Sequence, residues 1–420
     1  MIESIQIKNF RGIQAGKIDR FRKFNLLVGP NNSGKSAVLE ALYLANTIGR
    51  KALLKTSTDE SYEARIADRD FLDNDPLARV LARHNYAEHP FSLSQGHLQV
   101  NINSISATLQ TFDLSTAPLT QGKEMAIALF GIDLIDNAQM INPDFGPDWW
   151  DFVDQLFRDK VEGTGTLLVY CWNPDLTYNQ IGTATWVMKE NTVPRARHTL
   201  FYDVSKTLEH LPAGFFRKMI ALIPGWSQKI ARRFDRILGL GKPFNVQFLP
   251  VDQEQQWMQG WIAPEDQIAL TIDSYGDGAR SIFKVLTPLL ALAELVREDS
   301  PGLFIWEEPE LFQNPQTLGR LLTEVATLLK NKPIQLFIAT HSLEVVAHFV
   351  RLVREGHIAE DEMAAIRLNL VNSKLSSSIF DHRDIQDWTE MDLDVRVPSG
   401  KVDSPLTYQL LETADATDHD

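Results

Sequence analysis

Among 420 residues there is one cysteine, Cys171, which excludes an internal disulfide and any metal site built on a cysteine cluster. No apolar run reaches the roughly 18 residues that a membrane-crossing helix needs, so none is expected and no membrane partner is implied. The first residues, Met1-Ile2-Glu3-Ser4-Ile5-Gln6-Ile7, alternate as a strand does and lack the basic-then-apolar pattern of a secretory signal. The cytoplasm is therefore the expected compartment. Positive charge is also in deficit: 41 Lys and Arg against 55 Asp and Glu leave a net charge of −14. A chain that coats nucleic acid with its whole surface is usually basic. The balance points to a local site or to partner proteins, and leaves room only for a local basic groove. Internal repeats are missing, as is any heptad run long enough for a coiled-coil arm. What remains is 44% hydrophobic and 23% charged, an ordinary globular composition with length for two or three compact units.

Against these absences stands one dense motif. Gly29-Pro30-Asn31-Asn32-Ser33-Gly34-Lys35-Ser36 fits G-x-x-x-x-G-K-[ST], the phosphate-binding loop. The apolar run Phe24–Val28 before it reads as a buried strand, and Ala37–Leu44 after it has helical spacing. Backbone N–H groups in such a loop form an anion nest at the positive end of a helix, where a triphosphate binds. Gly29 and Gly34 let the main chain approach the phosphates. Lys35 is expected to reach the β- and γ-phosphates, and the Ser36 hydroxyl to ligate Mg²⁺. The candidate nucleotide contacts run from Gly29 through Pro30, Asn31, Asn32, Ser33, Gly34, Lys35 and Ser36 to Ala37.

Further along, Leu303-Phe304-Ile305-Trp306 leads into Glu307-Glu308-Pro309-Glu310, an apolar strand ending in carboxylates. At a strand tip beside a phosphate loop, Glu307 would hold Mg²⁺ through water and Glu308 would accept the proton of the attacking water. The plainer alternative is a solvated acidic turn. Thr340-His341-Ser342 follows the next apolar run, Ile334–Ala339. His341 can sense a terminal phosphate, or the segment can simply cap the next helix through Ser342; both can hold together. Ser274-Tyr275-Gly276-Asp277-Gly278 precedes a helical run from Ala279 to Glu294, interrupted by Pro288. It is either an anion site or an ordinary helix cap.

The order of elements gives domain expectations: 1–105 for the first half of an α/β head, 106–250 for a mainly helical insertion with a few strands, 251–397 for the second half, and 398–420 for a mobile acidic tail. The alternation of strands and helices around 303–339 implies βαβ organisation and a largely parallel sheet. Leu98–Asn103 alternates and is expected to rejoin that sheet. Residues 51–95 read as polar surface helices and loops, 148–157 as an amphipathic helix, and 166–172 and 184–188 as strands. The segment 194–242 carries ten Lys and Arg against three Asp and Glu, including Arg195, Arg197, Arg217, Lys218, Arg232, Arg233 and Arg236. It is either a DNA-binding surface or a helical face whose arginines are solvated or paired with the acidic remainder.

Taken together, Ile7-Lys8-Asn9-Phe10-Arg11-Gly12, Gly29–Ser36, Ser274–Gly278, Trp306–Glu310 and Thr340-His341-Ser342 resemble the ABC-type ATPase heads of the SMC and RecF class, and more closely the ATPase domains of OLD-like proteins. The resemblance covers roughly 1–50 and 265–375. It implies an α/β P-loop head with a mainly parallel sheet, N-terminal antiparallel strands and a mixed helical insertion. It implies ATP and Mg²⁺ as ligands, and a homodimer or higher homo-oligomer closed around two ATP molecules. In that arrangement Ser274, with Gly276 and Gly278, would bind the γ-phosphate held by the opposite protomer, and Arg11 would approach the nucleotide from the N-terminal hairpin. The signature is Ser-x-Gly-x-Gly rather than the Leu-Ser-Gly-Gly-Gln of transporters, and Leu311–Pro315 lacks the histidine usual in OLD relatives. Gln99 is the candidate for a Q-loop glutamine. With little chain after His341 for a Toprim nuclease domain, the expectation is a stand-alone head, as in ATPase subunits of anti-phage defence systems whose effector is a separate, nuclease-like chain. The alternative is an ATP-dependent DNA clamp of the RecF or SMC kind; a transporter subunit fits less well.

Overall fold

In the computed structural model of the chain, residues 1–47, 98–102, 105–113, 124–132, 165–172, 178–185, 198–203, 211–239, 241, 244–250, 257–264, 268–299, 301–391 and 393–397 are described. Of β4 to β8, below, the backbone path and pairing are described. The expected elements in 51–95, the helix at 148–157 and the acidic tail at 398–420 lie outside the described residues.

The N-terminal strands β1 (Ser4–Phe10) and β2 (Ile13–Asp19) form a hairpin around Arg11-Gly12, with Ile5, Ile7 and Phe10 turned inward as their alternation requires. Strand β3 (Phe24–Val28) feeds the phosphate loop and helix α1 (Lys35–Thr47). An antiparallel series follows: β4 (Leu98–Ile102), β5 (Ile105–Asp113), β6 (Glu124–Ile132), β7 (Gly165–Trp172) and β8 (Tyr178–Thr185). After it come β9 (His198–Asp203), β10 (Leu211–Pro212), α2 (Ala213–Leu222), α3 (Trp226–Leu238), β11 (Phe244–Pro250), β12 (Trp257–Pro264) and β13 (Leu270–Thr271). The chain closes with α4 (Asp277–Leu295), β14 (Gly302–Glu307), α5 (Pro315–Leu329), β15 (Ile334–Ala339), α6 (Leu343–Arg354), β16 (Met363–Val371), β17 (Lys374–Phe380) and α7 (His382–Glu390). No helix among the described residues is long and apolar enough to cross a membrane.

The large sheet runs β8-β7-β6-β5-β4-β1-β2-β17-β16-β3-β15-β14-β9. Its centre, β16-β3-β15-β14-β9, is parallel. The strands from β2 outward to β8 are antiparallel to one another. A smaller sheet joins β10, β12, β11 and β13. The parallel centre is apolar on both faces because it is covered on both. Phe24, Leu26, Val28, Phe304, Trp306, Leu336 and Ile338 face one core, packed by residues of α2 to α7. Leu27, Leu303, Ile305, Phe337 and Ala339 face the other, packed by α1 and the N-terminal hairpin. The phosphate-loop helix α1 and the long helix α4 therefore lie on opposite faces of one sheet.

Two features depart from the sequence expectation. The insertion carries more strand than helix among its described residues, since Ile105–Asp113 alternates and Met125–Ile132 is an apolar run that periodicity alone cannot assign. And β9, read as part of the basic insertion, pairs parallel with β14 as the edge of the large sheet. Its short apolar run, flanked by charge, gives no signal of its own.

Candidate active site

The loop after β3 is shaped by its backbone. Gly29 adopts φ 141°, Asn32 φ 62° and Gly34 φ 94°, so successive peptide groups turn inward as an anion nest requires. At Gly29 a Cβ would stand 2.6 Å from the Leu368 carbonyl oxygen and 2.9 Å from Ser33 Oγ, so the position is closed to any side chain. Pro30, Asn31 and Asn32 are exposed at the rim, and Ser33 and Lys35 are buried beneath it. Lys35 Nζ donates to the carbonyls of Gly29 (2.9 Å) and Pro30 (3.0 Å) and lies 3.5 Å from Ser33 Oγ. Burial lowers the Lys35 pKa to about 8, against the opposing pull of the Glu308 and Glu310 carboxylates. The ammonium thus stands in the field of two carboxylates that lie 270 or more residues away in sequence.

Those carboxylates come from the tip of β14. The Ser36 hydroxyl donates to Glu307 Oε1 across the sheet edge, joining the first helical turn of α1 to the end of β14. Glu308 follows in a left-handed conformation (φ 49°), its N–H donating to the Ala339 carbonyl at 2.8 Å. A non-glycine residue held there is a local cost of the kind found at functional sites. Glu310 reaches the next loop: its Oε1 accepts from Thr340 Oγ1 (2.8 Å) and from the His341 N–H (3.0 Å), and its Oε2 is buried with no hydrogen-bond donor among the described residues. Thr340 in turn donates its N–H to the Leu27 carbonyl, tying the loop to β3.

His341 is partly buried, and its pKa is lowered by burial first, with Lys35 and Arg396 acting the same way and Glu310 opposing them. The neutral imidazole is the favoured form at pH 7. Ser342 caps α6, accepting from the Glu344 and Val345 N–H groups. The cap reading of this segment thus falls to Ser342, which leaves the His341 side chain outside the cap.

Not every candidate joins this cluster. Arg11 is ion-paired with Glu40, a fully buried carboxylate on α1, and so braces the hairpin against the helix behind the loop. Ser274, Gly276 and Gly278 lie at the start of α4, on the other face of the sheet. Ser274 and Gly276 are exposed. Among the described residues, the hydrogen bonds of this segment run locally and to the turn after β14: Ser274 Oγ to Thr271 Oγ1 (3.0 Å), and Gln313 Nε2 to the Gly278 carbonyl (3.1 Å). None reaches Gly29–Ala37. Gln99 pairs with Lys8 across β4 and β1, and its side chain lies outside the described residues.

Two groups at the site escaped the sequence reading. Glu310 is visible in the Glu-Glu-Pro-Glu run but offers no sign that it reaches the next loop. Arg396 donates from Nη1 to the His341 carbonyl at 2.5 Å, over a separation that no motif marks. As for a metal, Ser36 Oγ and Glu307 Oε1 are hard oxygen donors of the type Mg²⁺ takes. Among the described residues no three His, Cys, Asp or Glu gather to hold an ion, so these two oxygens fit an ion whose other ligands are phosphate and water.

The fold and the site define the chain as an α/β protein with a phosphate loop facing strand-tip carboxylates. Comparison with known proteins bears on the same segments. Residues 1–81 match the family model described as "AAA ATPase domain", and 213–347 match the one described as "AAA domain, putative AbiEii toxin, Type IV TA system". An "ATP/GTP phosphatase" of Helicobacter pylori is 56% identical over 43 residues, 10% of this chain and 12% of that protein. The "DNA replication and repair protein RecF" of Geobacter metallireducens is 39% identical over 82 residues, 19% of this chain and 22% of that one. The chain thus spans less than a quarter of the length of these curated relatives. Among solved structures, an SMC head bound to the C-winged helix domain of ScpA aligns over 92% of this chain and 99% of its own, at 12% identity and a TM-score of 0.42. The SMC head domain from Thermotoga maritima aligns over 90% and 98%, at 12% identity and a TM-score of 0.36.

Proposed function

We propose that the chain is an ATP-binding and ATP-hydrolysing regulatory ATPase that dimerises around nucleotide and gates a separate effector, a nuclease-like partner in anti-phage defence. The observation that carries the enzymatic part is the junction of Ser36 with Glu307, with Lys35 in the field of Glu308 and Glu310. The matches of 1–81 and 213–347 to AAA-type ATPase domains support it. Dimerisation is supported by the exposed start of α4, which among the described residues makes no hydrogen bond to its own phosphate loop. The effector and the defence role rest on the resemblance to OLD-like ATPases.

In this reading the backbone nest and the Lys35 ammonium take the β- and γ-phosphates, replacing the carbonyl partners that Lys35 now has. Ser36 and Glu307 would hold Mg²⁺, which neutralises charge that builds on the phosphate oxygens. Glu308 accepts the proton of the attacking water, its backbone held in place by the N–H bond to the Ala339 carbonyl. Neutral His341 donates or accepts one hydrogen bond at the terminal phosphate and so registers its presence. Positioning and charge do most of the work in phosphoryl transfer to water. Lys35→Ala is therefore expected to lose ATP turnover by at least about 100-fold, the range that loss of one preorganised charge at a reacting centre produces. Phosphate release by purified protein measures this, and turnover at the wild-type rate would overturn the reading.

A DNA clamp is the second reading, and local identity to RecF favours it. The basic segment gives it less. Arg233 and, at 3.4 Å, Arg236 share Glu324 on α5, and Lys229 meets Glu294 on α4 at 2.8 Å, so two carboxylates offset part of the charge of these three cations. Arg195, Arg197 and the side chains of Arg217 and Lys218 lie outside the described residues. Duplex binding in ATP that falls steeply with salt, and falls further in Arg232→Ala, would favour the clamp.

A further inference from the structure

The peptide groups of His341 are fixed from both ends by charged side chains of opposite sign. Its N–H donates to Glu310 at 3.0 Å, and its carbonyl accepts from Arg396 Nη1 at 2.5 Å. Glu310 belongs to the carboxylate turn after β14. Arg396 belongs to a separate piece of chain, 393–397, beyond α7. That piece is anchored at its start, where the Leu393 N–H donates to the Trp388 carbonyl at 2.8 Å, and braced within: Arg396 meets the Asp394 carboxylate through Nε (3.0 and 2.9 Å) and Nη2 (2.5 Å), and its own N–H donates to Asp394 Oδ1 at 2.8 Å. Asp394 is 3% exposed. Burial works against its charge, but the hydrogen bonds and charge of Arg396 outweigh this and hold its pKa below the usual carboxylate range. The end of the strap is fastened in turn, since Arg367 Nη1 on β16 donates to the Val397 carbonyl at 2.9 Å. The guanidinium of Arg367 lies over the rings of Phe380 and Trp388.

A strap needing only to close the fold could end on apolar contacts, as Val395 does in the core. Here a desolvated carboxylate is used to orient a guanidinium fork, and the fork's remaining arm goes to one carbonyl. A planar fork fixes direction in a way that a lone ammonium does not. We propose that Arg396, braced by Asp394, is a positioning residue for ATP hydrolysis, holding the His341 peptide against Glu310 so that the imidazole keeps its place at the terminal phosphate. This rests on the ATPase reading above. Residues 393–397 thereby become part of the catalytic apparatus without touching substrate, and a partner that pulled on this segment would slow hydrolysis through His341.

The test uses the full chain and measures phosphate release over a range of Mg-ATP concentrations, with melting curves alongside. The variants are Arg396→Ala, Arg396→Lys, His341→Ala and the double variant His341→Ala/Arg396→Ala. Arg396→Ala is expected to lower kcat roughly tenfold with KM within about twofold of wild type, the pattern of a lost transition-state interaction. Arg396→Lys keeps the charge without the fork and is expected to recover part of that kcat. If Arg396→Ala fails to fold, Arg396→Lys carries the same comparison. In the His341→Ala background, loss of Arg396 is expected to change kcat by less than about twofold, because the two act through one peptide. Wild-type kcat in Arg396→Ala, a loss that falls wholly on KM, or equal losses in both backgrounds would each overturn the proposal while leaving the ATPase reading intact. No hydrolysis by the wild-type chain would overturn that reading, and the proposal with it.

Discussion

Gly276 is a glycine that the single chain does not need. Its backbone, φ −62° and ψ 156°, is open to any residue, and a Cβ added there would meet no atom within 4 Å. Its neighbour is different: a Cβ at Gly278 would come within 2.7 Å of the Phe312 carbonyl oxygen. The two substitutions therefore separate folding from assembly. Gly278→Ala is expected to cost about 1–3 kcal/mol through overpacking against fixed backbone. Gly276→Ala is expected to leave the folded backbone unchanged and stability within about 1 kcal/mol of wild type, because the freedom lost by the unfolded chain is offset by a poorer N-cap for α4. If a second copy brings its triphosphate against this surface, the same methyl stands in the way of the phosphate oxygens. A displaced hydrogen bond to charge of about 1.5–3 kcal/mol corresponds to a loss of ATP turnover between about 10- and 150-fold. Urea unfolding and phosphate release on the same preparation measure both arms. Gly276→Ala with wild-type turnover would refute the reasoning, since nothing would then dock at Ser274–Gly278.

Other consequences follow from buried ionisable groups. His348 on α6 lies against Thr323 Oγ1 at 3.0 Å, and burial first, with Arg351 and His357 acting in the same sense and Glu355 opposing, lowers its pKa to about 4. The folded state thus declines a proton that the unfolded state accepts below about pH 6.5. Stability from this group is complete above that pH and falls progressively as pH drops toward 4, by at most about 3 kcal/mol. His348→Gln should flatten that part of a urea-midpoint profile between pH 7 and 4.5; an unchanged acid loss would contradict the assignment. Glu324→Ala leaves Arg233 without its buried partner and is expected to destabilise the chain by about 1–3 kcal/mol. It should also strengthen any salt-sensitive duplex binding, whereas no change in either measurement would show that the pair does not balance α3.

The parts of the site that could be read from sequence are those whose chemistry is written in consecutive residues. Phe24–Val28, Leu303–Glu307 and Ile334–Ala339 are buried on both faces of a parallel sheet, so their continuous apolar runs announce them. The phosphate loop needs glycines at fixed places, and its Gly29 has no room for a Cβ. Helix α4 extends two residues before and one beyond the Ala279–Glu294 run that its spacing marks, with Pro288 carried inside it. What sequence hides is long-range pairing between ordinary polar residues. The link from Ser36 to Glu307 follows once two motifs are assumed to meet, but Glu310 to His341 and Arg396 to His341 follow from no motif. Nor does charge counting reveal that Arg233 and Arg236 turn toward Glu324, because helix α3 carries its arginines with the same spacing whether they face DNA, water or a neighbouring helix. An apolar residue on a helix is no guide to its burial either: Ile220 is 52% exposed, since α2 buries Phe216 and Met219 instead.

The most direct measurement is made on Glu308→Gln beside wild type: Mg-ATP binding, phosphate release and molecular mass in solution, on the same samples. With the phosphate loop, Ser36 and Glu307 intact and only the proton acceptor removed, the expected result is retained nucleotide, phosphate release lowered by at least about 100-fold, and a dimeric mass that persists while ATP is present. Phosphate release from Glu308→Gln at the wild-type rate would contradict the assignment of the strand-tip carboxylates to hydrolysis at this loop.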